Sequence, residues 1–306
     1  MCEGIDRAII MNVKRFVKLF VPPIVLEFKD FVRGVDRRLI KSPLPQIHKH
    51  SENVIIMGNG PSLNQSLNNY KPQILKNDRM AVNFFASTDL YEIIRPNIYV
   101  FADPAFFFIP ENQKEAIESL LERIIKTTSW DMRMIIPLSA REAPIVKTLQ
   151  QNTNIKIDYY LNSYQDCGKK SKFEAWDENL IGPPAQNVLN VALYLALFWG
   201  YKETYLIGAD SSFLEDLRVD QETNELYTID THFYNNKEVH SDKKFYDQKK
   251  RGRSRKDWKL HELIYAHGRM FEYYSELKEY ADYKGLKVYN ASEYSWINVF
   301  ERKKLG

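Results

Sequence analysis

Residues 187–201, NVLNVALYLALFWGY, contain no charged side chain. A helix of that composition has no face for water and must be buried on most sides. Gly200 ends it, and TYLIGAD (204–210) follows as a short apolar run of the kind that forms a fully buried strand. A buried helix feeding a buried strand requires a layered fold with helices packed over a central sheet.

The rest of the chain repeats the alternation. VIIMG (54–58), RMAVNFFAS (79–87), NIYVFADP (97–104), MRMIIPL (132–138) and IKIDYYL (155–161) read as strands. KEAIESLLERIIK (114–126) reads as an amphipathic helix, and HGRMFEYYSELKEYADYKG (267–285) as a late helix before a closing strand, LKVYNAS. Such alternation predicts an α/β fold: a Rossmann-like, mostly parallel sheet with helices on both faces. The 306 residues, 44% hydrophobic with 19 Tyr and 17 Phe, suffice for a sizeable core. Cys2 and Cys167 cannot form a disulfide framework, which fits a reducing compartment. A net charge of +3 gives no argument for nucleic acid, and no apolar run is long enough to span a membrane.

Four segments are expected: an arm and linker (1–50), an α/β unit (51–210) whose strand ends would bind the ligand, a lid (211–266), and a C-terminal helix and strand (267–306) that complete the α/β unit. The arm alternates Phe16, Leu19, Phe20, Ile24, Phe28 and Val32 with basic residues from Lys14 to Lys41. Pro22-Pro23 divides it into two short amphipathic pieces. An interfacial membrane anchor and a helix packed on the domain both fit this pattern. The expected lid is polar and aromatic, and its run KKFYDQKKRGRSRK (243–256) suits an anionic partner such as an acidic ligand, a pyrophosphate or lipid headgroups.

In parallel sheets ligands bind at the carboxyl ends of the strands. Gly58-Asn59-Gly60 follows the first strand, with Ser62 just beyond; Asn83 lies late in the second, Asp103 ends the third, and Asp210 ends the strand after the uncharged helix. The glycines would let a ligand lie against the backbone, and N–H groups opening the next helix would suit a phosphate. The turn is neither the dinucleotide fingerprint nor a P-loop. Among the histidines, His267 and His232 are candidate bases. Asp103, Asp210, Asp230 and His232 could be assembled into a Mg²⁺ or Mn²⁺ site, but no D-x-D motif supports one, and no metal is expected.

GNGPSL after the first strand, VNFF around Asn83, VFADPAFFF, IGPPAQNVLNVALYLALFWGYKETYLIGAD and YAHGRMFEYY, in this order, resemble the bacterial sialyltransferases of glycosyltransferase family 42. Asp103 stands where the family has Asn, and Gly182-Pro183-Pro184-Ala185 replaces the loop in which the family has Arg and Ser. The resemblance implies a GT-A-like variant of the fold and an inverting transferase. It would use a CMP-activated sugar, sialic acid or a related ulosonic acid, without a metal or other cofactor. It places the base on His267, leaving-group tyrosines on Tyr227 and Tyr234, and the nucleotide among Gly58, Asn59, Gly60, Ser62, Asn83, Asp103, Gly182 and Asp210. The implied partners are a nucleotide sugar, a surface glycan or lipid-linked glycan acceptor for lipopolysaccharide or capsule, and the membrane through the arm, with no nucleic acid. The implied place is the inner face of the cytoplasmic membrane. The GNGPSL-like turn is also similar to that of a group related to archaeal hydroxymethylpterin diphosphokinases, which implies the alternative of a Mg²⁺-dependent pyrophosphate transfer from ATP. A non-catalytic nucleotide-binding scaffold for polysaccharide assembly is the other alternative.

Overall fold

The computed structural model describes residues 44–164, 168–183, 185–215, 217–229, 242–244 and 259–306, with the backbone alone at 112, 227–229 and 242–244. The arm, Pro184, and nearly all of the basic run lie outside the described residues.

Strands β1 (Asn53–Met57), β2 (Asp78–Val82), β3 (Ile98–Val100), β4 (Met132–Pro137), β5 (Ile155–Tyr160) and β6 (Glu203–Ile207) come first along the chain. β7 (Leu217–Val219), β8 (Leu226–Ile229) and β9 (Asp242–Lys244) form a separate antiparallel sheet. β10 (Lys287–Asn290) and β11 (Glu301–Arg302) return to the main sheet. That sheet has eight strands in the order β11-β10-β6-β1-β2-β3-β4-β5, and every neighbouring pair is parallel. The chain winds outward from β1 to β5 on one side, then crosses back to lay β6 on the other side of β1. The strand order reverses between β1 and β6, which is where sheets of this class open a ligand crevice.

Strand residues alternate between two cores, as a period of two requires. Ile55, Met57, Ala81, Met134 and Ile207 face one layer with α1 (Leu63–Leu75), α2 (Leu90–Ile94), α3 (Lys114–Thr127) and α4 (Pro144–Leu149). Val54, Ile56, Met80, Val82 and Leu206 face the other, with α5 (Lys169–Asp177), α6 (Val188–Phe198) and α7 (Leu260–Tyr283). Every residue of α6 from Leu189 to Phe198 is buried, as its charge-free sequence demands. Gly200 turns the chain out of it with a left-handed φ of 70°.

Three sequence expectations change. The second strand stops at Val82, and Asn83–Ser87 is a 3-10 turn, because Asn83 takes a left-handed φ of 45° that no strand can continue. The last helix begins at Leu260, where Lys259 and Glu262 close its first turn. A lid boundary at 266/267 therefore falls inside α7, and His267 is not at a helix start. Residues 44–50 are docked rather than free: Leu44 is buried, Trp199 Nε1 donates to Pro45 O, and the His50 N–H donates to Asp78.

Candidate functional site

At the β1/β6 crossover the two loops are interlocked. The Gly58 N–H donates to Ile207 O at 2.8 Å and the Gly60 N–H to Gly208 O at 2.9 Å. A Cβ on Gly58 would come within 2.4 Å of Gly208 O, and one on Gly60 within 2.3 Å of Asp210 Oδ1. The glycines after β1 thus make room for the loop after β6, a demand internal to the protein.

Asp210 is buried and its carboxylate holds the start of α1, accepting from the Ser62 N–H at 3.0 Å and from Ser62 Oγ at 2.5 Å. Burial pushes the Asp210 carboxyl above its ordinary value, and the Ser62 bonds oppose that shift. The carboxylate meets the positive end of α1, the place a phosphate was expected to take. The Leu63 N–H goes to Gly60 O and Pro61 has none to give, so the N–H groups of Gly58, Gly60, Ser62 and Leu63 are all committed. A phosphate held on these groups would have to displace the β6 loop.

Beside this interlock lie two asparagines. Asn59 Nδ2 donates to Val82 O at 3.1 Å, bridging the ends of β1 and β2. Asn83 is pinned in its left-handed conformation by Tyr99, whose hydroxyl donates to Asn83 O at 2.5 Å and accepts the Ala86 N–H at 2.9 Å. Asn83 Oδ1 is buried and makes no hydrogen bond among the described residues. A buried oxygen without a partner calls for an explanation, and its place at a strand end of the rim makes Asn83 a candidate for contact with a ligand. Asp103 is exposed, and its carboxylate caps its own turn through the Ala105 N–H at 2.8 Å.

α7 runs back from the carboxyl rim, so its first half stands over the crevice end of the sheet. His267 is half-buried there, its Nδ1 lying 2.9 Å from Leu263 O. A carbonyl only accepts, so Nδ1 carries a hydrogen, and in the neutral ring the lone pair falls on Nε2. The ring packs 5.4 Å from that of Phe213, in the loop three residues past Asp210. Two turns further along α7, Tyr274 accepts from Asn187 Nδ2 at 3.0 Å, and burial pushes its hydroxyl up to about 12. His261 is exposed on the first turn of the helix.

Gly182 lies away from these groups. Its N–H donates to Ser163 O at 3.0 Å, its carbonyl accepts from Trp176 Nε1 at 3.1 Å, and a Cβ would strike Leu161 O at 2.1 Å. Packing between α5 and the chain after β5 accounts for this glycine. Tyr227 lies on β8, paired with Arg218 and Lys244 in the small antiparallel sheet. His232 and Tyr234 lie outside the described residues.

One part of the rim was missed. The segment after β10, NASEYSWIN, buttresses the β6 loop. Ser292 Oγ accepts the Ala209 N–H at 2.9 Å, Ser295 Oγ donates to Ala209 O at 2.6 Å, and the Trp296 N–H donates to Asp210 O at 2.8 Å. The same strand-end rule, applied to the closing strand, would have found it.

Among the described residues no group of His, Cys, Asp and Glu is arranged to hold a metal ion, and no helix is long and apolar enough to cross a membrane. No model of a known protein family matches the sequence, and no curated protein matches it. Solved structures to which the fold is similar include the MAf glycosyltransferase from Magnetospirillum magneticum AMB-1, with 13% identity and a TM-score of 0.47 over 85% of this chain. The chain spans 35% of the length of that structure.

Proposed function

We propose that the chain is an inverting glycosyltransferase that moves a sugar from a nucleotide donor to a glycan hydroxyl. The observation that carries this reading is His267. Its Nδ1 is tied to Leu263 O, its ring is braced by Phe213, and Nε2 is left as a base on the same rim as the strained Asn83 and its neighbour Asn59. Nε2 would take the acceptor's hydroxyl proton as that oxygen attacks the anomeric carbon, while the bond from that carbon to the nucleotide phosphate breaks on the opposite side. Asn59 and Asn83 would hold the nucleoside. The donor's phosphate would sit away from the Ser62 N–H, which Asp210 already occupies.

The finer reading rests on the GNGPSL, VNFF and YAHGRMFEYY likeness: a CMP-activated sialic or ulosonic acid, passed to a bacterial surface glycan or its lipid-linked precursor. The basic arm 12–41 would keep the enzyme on anionic lipid at the inner face of the cytoplasmic membrane. Removing residues 1–41 should then abolish co-sedimentation with anionic vesicles, and retained binding would move the anchor elsewhere.

A thermal-shift panel of CMP, CDP, UDP, GDP and ATP, each with and without Mg²⁺, tests the donor class, since ligand binding raises apparent stability. A metal-independent CMP or CDP shift supports the reading. A shift with ATP only when Mg²⁺ is present replaces it with pyrophosphate transfer.

A further inference from the structure

Apart from Phe213, which braces His267, the ledge beside the β6 loop has no part in the chemistry described so far. Phe213, Tyr294 and Trp296 are 46%, 45% and 38% exposed, although all three are large aromatics at the rim of the sheet. They are held in place all the same. Tyr294 OH donates to Glu215 Oε1, and Trp296 Nε1 lies 3.2 Å from that oxygen and 2.8 Å from Tyr294 OH. The Trp296 N–H is anchored on Asp210 O. Fixing two exposed rings to one carboxylate costs side-chain entropy and contributes little burial, so the arrangement is not explained by core packing.

We propose that Tyr294, Trp296 and Glu215 form a binding subsite for a neutral sugar ring of the acceptor, a proposal that rests on the glycosyltransferase reading. Three observations choose the ligand. Rigid Tyr and Trp faces suit the apolar C–H face of a pyranose, whose hydroxyls at the edge need polar partners. Glu215 supplies one: its Oε1 is engaged, while Oε2 makes no hydrogen bond among the described residues and can only accept, which suits a hydroxyl donor. The same negative charge reaches Asp210, adding to the rise in pKa that burial mainly causes there, and repels a phosphate or an acidic sugar.

The placement suits an acceptor. β6 separates β10 from β1, so the ledge after β10 and the asparagines after β1 and β2 lie on opposite sides of the β6 loop. Phe213, which touches His267, and Glu215, which orders the ledge, are two residues apart and so within about 7 Å along the chain. A sugar on the ledge would thus lie across one short turn from the base, with the donor entering from the other side.

The test is saturation-transfer NMR of the full chain with lactose, N-acetyllactosamine, chitotriose and sialyllactose, run beside CMP thermal shifts on the same samples. The wild type should bind neutral oligosaccharides in preference to sialyllactose. Trp296→Ala should weaken that binding by about tenfold or more. Trp296→Phe should keep part of it, and Tyr294→Phe, which retains the ring and loses the bond to Glu215, should weaken it less than Trp296→Ala. The CMP shift should not move in any variant. No oligosaccharide binding by the wild type, or equal binding by Trp296→Ala, would overturn the subsite. So would a CMP shift lost in Trp296→Ala, which would assign the ledge to the nucleobase. Oligosaccharide binding that depends on Trp296 in a protein that responds to no nucleotide would leave the subsite standing and remove the transferase reading alone.

Discussion

Asp210 and Ser62, 148 residues apart in sequence, close the β1 and β6 loops on each other through two bonds, one to the Ser62 N–H and one to its hydroxyl. The pair does for the start of α1 what an N-cap side chain ordinarily does from within the helix, since Ser62 itself makes no capping bond. It also couples the crevice to the C-terminal segment, because the backbone of Asp210 is held by Trp296.

Asp210→Ala leaves two buried donors on Ser62 without partners, at about 1–3 kcal/mol each. Asp210→Asn can still accept from the N–H and donate to Oγ, and should cost less. The pH dependence has a definite sign. Burial raises Asp210 above its ordinary 3.8, so the folded state holds this proton more tightly than the unfolded chain. The contribution to stability is full below that ordinary value and is lost as pH rises through the folded one. The stability advantage of wild type over Asp210→Asn should therefore shrink with rising pH in a series of urea unfolding curves. An advantage that grows with pH would show that the Ser62 bonds outweigh burial.

Gly60→Ala would place a methyl group 2.3 Å from Asp210 Oδ1, and Gly58→Ala one 2.4 Å from a backbone oxygen. Neither neighbour can yield without breaking the Asp210–Ser62 pair or the β1–β6 pairing, and overpacking of this kind costs about 1–3 kcal/mol or more. Gly200→Ala provides the comparison. Its Cβ meets nothing, so only the left-handed φ of 70° is penalised, at about 1–2 kcal/mol. Chemical denaturation should rank Gly58→Ala and Gly60→Ala as the more damaging; equal losses would mean that the interlock is looser than its geometry.

The layered parallel fold was legible because α6 has no polar face and because strand and helix periods alternate cleanly. The carboxyl rim was legible too, since parallel strands must deliver Asn59, Asn83 and Asp210 to one side. The use of the loop glycines was not. A glycine demanded by Gly208 O or Asp210 looks in sequence the same as one demanded by a ligand, because the neighbour that decides lies 148 or more residues away. His267 was mistaken for a helix start because the helix signal of HELIYA (261–266) is weak: Leu260, Ile264 and Tyr265 remain exposed. The packing demand at Gly182 was hidden in the same way as that at Gly58, its contact with Leu161 being tertiary.

Asn83 separates strain from function. Asn83→Gly relieves the left-handed φ of 45° and removes the unpartnered Oδ1, so it should leave stability unchanged or raise it by up to about 1 kcal/mol. Asn83→Ala puts in the left-handed region a residue that tolerates it less well than Asn, and should destabilise by up to about 1–2 kcal/mol. If the buried oxygen serves a nucleoside, both variants lose the nucleotide-induced thermal shift whatever their stability. A full shift in Asn83→Gly would remove the side chain from the site.

His267 and Phe213 make the sharpest pair of tests. A general base contributes about 10²–10⁴-fold, so His267→Ala should cut transfer by that factor while leaving the nucleotide thermal shift in place. Phe213→Ala removes only the ring that braces the imidazole 5.4 Å away, while the Nδ1 bond to Leu263 O still fixes the tautomer. Its loss should be several-fold in kcat, with the nucleotide shift intact, because orientation is weakened and the lone pair on Nε2 is not. In the double variant the second change should add nothing to His267→Ala, since Phe213 acts through the imidazole. Additive losses would show that Phe213 touches substrate itself, and unchanged turnover in His267→Ala would take the base out of the mechanism.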